Sequence, residues 1–112
     1  MTEQNRIRLI IQDPDAYYVC YDEKYKTTLD IIKRLEDKQI PAENLLYLRA
    51  KLAELAGKRA ITIGVLKNKN TDLLIKYWNQ IVNLLDAADD NFENIEAYEK
   101  NILYIQKRCL ED

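Results

Sequence analysis

Apolar residues recur every three or four positions along most of this chain, the spacing that gathers them on one side of an α-helix. Short polar connectors interrupt the pattern at residues 39–41, 68–70 and 89–91. Connectors of about three residues typically join antiparallel helices in bundles. The pattern therefore predicts an all-α fold, an antiparallel bundle of four main helices in a single domain that spans residues 1–112.

The first main helix is predicted to begin at Asp13 and Pro14, because Asp favours the N-cap and Pro the first helical position. One stripe of this helix collects its large apolar side chains: Tyr18, Tyr21, Tyr25, Leu29, Ile32 and Leu35. An alternative pairs residues 6–12 with residues 17–21 as a β-hairpin, since both are rich in β-branched or aromatic residues. Otherwise residues 1–12 form a short leading helix or an edge strand.

The second helix follows Pro41, and its apolar stripe consists of Leu45, Leu48, Leu52, Leu55, Ile63 and Leu66. A helix that continues through Gly57 keeps Ile63 and Leu66 in phase and gathers small residues on a second face, where another backbone can approach closely. The alternative ends the helix at Gly57 and makes residues 60–65 a buried strand. The continuous helix is favoured, and Gly57→Ala is then expected to be tolerated or stabilising if that face is open.

The third helix starts with Asn70 or Thr71 as its N-cap. Apolar residues cover more than half of its circumference between Leu73 and Ala88, which is typical of the central helix of a domain or of one with a face turned to a partner. The fourth helix is predicted from Phe92 onwards. Its stripe consists of Ile95, Tyr98, Ile102, Ile105 and Cys109.

The helices differ in length: at 1.5 Å per residue the first two are about 38 Å long and the last two about 27–29 Å. Because the connectors are short, the first hairpin must project past the turn at residues 89–91 by about 10 Å. Its tip carries more apolar surface than a monomer leaves in water. The tyrosines of the first helix suit an interface and the solvent-facing rim of a core equally well. The predicted partner-binding residues are Leu35, Ile40, Leu45, Leu46, Tyr47, Leu48, Tyr17 and Tyr21.

Composition and charge narrow the class of protein. Hydrophobic residues make up 47% and charged residues 32%, as in ordinary globular chains. A net charge of −2 argues against binding dominated by phosphate neutralisation. The sequence has neither an apolar run long enough for a membrane span nor a signal-peptide core. Cys20 and Cys109 differ in helical phase and are predicted to be unlinked thiols in a reducing cytosol.

The chain lacks the residues that most catalytic mechanisms require. The chain has no His and no Ser, which excludes Ser–His and Cys–His pairs and metal sites that need imidazole. Its two glycines do not form a phosphate-binding loop. An acidic stretch lacks the spacing of a calcium loop and is interpreted as solvated charge: Asp86, Asp89, Asp90, Glu93, Glu96 and Glu99. We therefore expect a protein that is not an enzyme and needs no metal or cofactor.

The leading hypothesis is a protein-binding module, a regulator, inhibitor or adaptor that uses helix faces. A homodimer is the simplest arrangement, and a larger protein target is the next. The bias towards Lys, Asn, Ile and Tyr is typical of AT-rich bacterial or phage genomes. The alternative hypothesis is a nucleic-acid-associated protein that uses a basic segment beside Trp78. The basic segment consists of Lys58, Arg59, Lys67, Lys69 and Lys76.

Overall fold

The computed structural model describes residues 3–88 and 95–111, with side chains for residues 6–83 and 95–111. Five α-helices and one 3-10 helix make up this part of the chain: α1 (Glu3–Gln12), α2 (Pro14–Asp37), the 3-10 helix (Ala42–Leu45), α3 (Leu46–Leu66), α4 (Thr71–Ala88) and α5 (Ile95–Leu110). The predicted all-α bundle is confirmed. The β-hairpin alternative is wrong, because both of its segments are helical.

Capping explains where α2 begins and ends. The side chain of Asp13 accepts a hydrogen bond from the backbone N–H of Ala16, and Pro14 follows as the first helical residue. At the other end Gln39 has a φ of 62°, and the N–H of Ile40 donates to the carbonyl oxygen of Leu35 at 3.1 Å. This arrangement is a Schellman motif, which satisfies the last carbonyl groups of a helix.

The connector between α3 and α4 uses the same device. Asn68 has a φ of 58°, a conformation that Asn tolerates better than most residues, and the N–H of Lys69 donates to the carbonyl oxygen of Gly64 at 2.9 Å. Asn70 then caps α4, since its side-chain oxygen accepts a hydrogen bond from the N–H of Leu73 at 3.1 Å. The predicted cap is confirmed. The connector at residues 89–91 and Phe92 lie outside the described residues.

The helix at the centre of the bundle is α3, which packs against α1, α2, α4 and α5. The sequence favoured α4 for this position because α4 carries more large apolar residues. The small side chains of α3 explain its central position instead, because they let neighbouring helices approach α3 from several sides. The buried residues of α3 are Ala50, Ala53, Glu54, Leu55, Ala56, Gly57, Ala60, Ile61, Thr62 and Gly64.

Both glycines of α3 lie where a side chain would collide with a neighbour. A Cβ atom on Gly57 would lie 2.8 Å from Cδ1 of Ile81 and 3.2 Å from Cδ1 of Ile102, and one on Gly64 would lie 2.8 Å from Cδ2 of Leu74. Neither glycine has a positive φ. The continuous helix is thus confirmed and the strand alternative is wrong. The glycine face is closed, however, so the expectation that Gly57→Ala is tolerated no longer holds.

These contacts also give the register of the bundle. The neighbours of Gly57 and Gly64 follow each other in opposite order on α4 and in the same order on α5. Therefore α4 is antiparallel and α5 is parallel to α3. Ala88 and Ile95 consequently lie near the level of Ala50, and α3 begins at Leu46, about 6 Å further along its axis at 1.5 Å per residue. The turn at residues 89–91, past which the first hairpin is predicted to project, lies outside the described residues, so the projection stays a prediction.

The main core lies between α3, α4 and α5. Trp78, Ile81 and Ile102 are buried there, and α1 adds Ile7 and Ile10. Among the helices described, none combines the length and the apolar character needed to span a lipid bilayer.

Candidate protein-binding groove

An open groove of about 350 Å³ runs along α3 between α2 and α5. Leu52, Ala53 and Ala56 of α3 form its floor. Because an alanine side chain ends at Cβ, the longer side chains on either side rise above this floor. The lining positions 49–56 of α3 and 99–106 of α5 each extend over about two helical turns, or 10 Å. The groove is thus a short channel parallel to the helix axes.

The wall on α5 is apolar and partly open to solvent. Ile102 is buried in the core, whereas the neighbouring Leu103 is 64% exposed. A single exposed leucine is common on protein surfaces. Leu103 differs because it lines the same groove as Ala53 and Ala56, so that its exposed side chain adds apolar surface to the groove.

An ion pair between Arg49 and Glu99 lines the groove and joins α3 to α5. The guanidinium Nη2 lies 2.6 Å from Oε1 of Glu99, and Nε donates to Oε2 at 3.4 Å. Bidentate pairs of this kind are among the stronger charge-assisted hydrogen bonds. Glu99 is therefore more than the solvated charge that the sequence suggested, and each charge of the pair is balanced within the chain.

The wall on α2 is fixed by a second group of charges. Arg59 of α3 lies 2.9 Å from Asp22, and its guanidinium carbon is 4.1 Å from the centre of the Tyr25 ring, which lines the groove. Lys26 also pairs with Asp22, at 2.8 Å. The hydrogen bonds from Lys26 and Arg59 hold the pKa of Asp22 below its ordinary value. Tyr25 is thus held in place by a cation–π contact with an arginine that is also paired with a carboxylate.

The predicted partner-binding residues are divided between the interior and the surface. Tyr21 and Leu45 are buried within the chain, so the predicted role in partner binding does not fit these two. Tyr17 is half-buried, with its ring 6.2 Å from that of Tyr21. The ring of Tyr21 lies in turn 6.3 Å from that of Trp78. Tyr17 and Tyr21 therefore take part in the packing of α2 within the bundle, where Tyr21 faces Trp78 of α4.

The other predicted residues lie around the α2–α3 hairpin. Leu35, Leu46 and Leu48 are half-buried, while Ile40 and Tyr47 are exposed. The hairpin thus keeps a smaller apolar surface than the sequence suggested.

Two members of the basic segment are engaged inside the bundle. Lys58 is 13% exposed at its side chain, lies 3.0 Å from the buried Glu54 and stands 5.0 Å from the centre of the Trp78 ring. Arg59 forms its ion pair with Asp22 of α2. Both side chains are thus largely buried and paired with carboxylates of the bundle. The hydrophobic pattern does not single out Glu54, whose carboxylate is buried in the bundle beside this lysine.

The remaining members of the basic segment lie at one end of the bundle or on its surface. Lys67 donates to the carbonyl oxygen of Leu110 at 2.7 Å, and Lys69 donates to that of Glu111. Cations at the C-terminal end of a helix complement its dipole. Lys76 is exposed on α4. The basic segment therefore does not form one continuous surface.

The described side chains contain no group of three carboxylates or thiols that could hold a metal ion. In the acidic stretch, the side chain of Asp86 and residues 89–94 lie outside them. Cys20 is half-buried, Cys109 is buried, and both are free. Burial raises the pKa of the Cys109 thiol to about 11, so it carries little of the reactive thiolate at neutral pH.

Comparison of the chain with models of known protein families, with curated proteins and with solved structures finds no match. The functional argument therefore rests on the groove and its surroundings.

Proposed function

We propose that this chain is a protein-binding module that receives an α-helix of another polypeptide in the groove between α2 and α5. One observation supports this above all others. Leu103 stands 64% exposed beside an apolar floor of small residues. A hydrophobic helix face laid into an apolar groove is a recurring mode of protein recognition.

The shape of the groove favours a helix as the occupant. Its wall on α5 extends over about two helical turns and Tyr25 of α2 stands on the other side, so a rod-shaped element parallel to α5 can contact both. Helices pack with their axes about 8–10 Å apart, and the closest approaches need small side chains. Ala53 and Ala56 provide small side chains at the floor. About two helical turns of a partner fit along the lining positions.

The charges around the groove favour an occupant with an apolar face. Arg49 is paired with Glu99, and Arg59 with Asp22, so each arginine has a carboxylate partner within the chain. An apolar helix face can cover these ion pairs without leaving a charge unpaired. Unpaired buried charges are what make an interface unfavourable. A regulator, inhibitor or adaptor without catalytic activity, working in a reducing cytosol, is the role that fits such a surface best.

The proposal is tested by a charge placed at the groove wall. Leu103→Asp should leave the chain helical, because the side chain is largely in solvent, but should remove the partner by burying an unpaired carboxylate in the complex. Val19→Asp is the matched control, since Val19 is 52% exposed on α2 and does not line the groove.

The tagged full chain is purified from its native host, and the polypeptides that it retains are quantified by mass spectrometry. We expect the same set with the unaltered chain and with Val19→Asp, and loss of that set with Leu103→Asp. Retention of the same set by folded Leu103→Asp would contradict the proposed function.

A further inference from the structure

We draw no further inference here: the strongest candidate, the groove between α2 and α5 beside the exposed Leu103, belongs to the site already described, and nothing in the structure shows which polypeptide covers it.

Discussion

Small residues on α3 determine how closely its neighbours pack. Gly57 faces Ile81 and Ile102, and Gly64 faces Leu74, at distances where an added Cβ would force these side chains to move. Alanines continue this surface towards the groove, where their short side chains make the floor. The same property, a side chain of minimal size, therefore closes the core on one side of α3 and opens the groove on another.

Gly57→Ala tests the close packing at the residue scale. The added Cβ meets Cδ1 of Ile81 at 2.8 Å, and overpacking of this kind costs about 1–3 kcal/mol. The better helix propensity of Ala returns about 1 kcal/mol. We expect a net loss of about 1 kcal/mol in the free energy of unfolding, measured by urea denaturation.

Ile81→Val supplies the control, because it removes the atom with which the new Cβ collides. Ile81→Val alone should cost about 1 kcal/mol, and the double variant should lose clearly less than the two single losses together. Simple additivity would show that Gly57 and Ile81 do not compete for the same space.

At the scale of elements, much of the fold follows from local signals. Asp13 with Pro14 predicts the start of α2, and the polar connectors coincide with the Schellman turns at Gln39 and Asn68. The phase of Ile63 and Leu66 predicts that α3 continues through Gly57. Each of these features is determined by residues within a few positions of one another, so a single sequence contains the information.

The central position of α3 and the groove were not predicted, for a physical reason. Helical stripes are recognised by large apolar residues, whereas alanines at Ala53 and Ala56 carry little of that signal. The ion pairs that hold the walls join residues far apart in sequence: Arg49 with Glu99, and Asp22 with Arg59. Hydrophobic periodicity along one chain does not indicate which distant charges will meet. It also placed Leu45 and Tyr21 at an interface, although both are buried in the chain itself.

Asp22→Asn tests how α2 is held against α3. At neutral pH the variant should be less stable than the unaltered chain, because Lys26 and Arg59 lose their carboxylate. A carboxyl group whose pKa is lowered by folding stabilises the folded chain at pH values above its ordinary pKa. This contribution is lost as the pH falls through the lowered pKa. The difference in unfolding free energy should therefore shrink once the pH drops below 3.8, the ordinary value for this group, and disappear at lower pH.

Urea denaturation across this pH range gives the comparison, with Glu23→Gln, an exposed carboxylate at the next position of α2, as the control. A stability difference between Asp22→Asn and the unaltered chain that persists in strong acid would show that the side-chain shape, and not the charge, matters at this position.

At the scale of the whole molecule, the surfaces of the described chain differ in how much of their apolar area is buried and how many of their charges are paired within the chain. The basic segment is divided between the bundle interior, the end of α5 and the exposed Lys76. The α2–α3 hairpin buries part of its apolar surface, including Leu45. The groove alone among these regions combines an apolar floor, an exposed leucine and charges paired within the chain. It is therefore the surface on which the account of function depends.

The most direct test of this account is photo-crosslinking from the groove wall in the native host. A photoreactive phenylalanine analogue, p-benzoylphenylalanine, replaces Leu103 in one full-length chain and Val19 in another, since both positions are largely exposed. Position 103 should give a discrete crosslinked product with a second polypeptide, either another copy of this chain or a different protein, and position 19 should give little. A folded chain that yields no product from position 103, or an equal yield of the same product from position 19, would contradict the proposed groove.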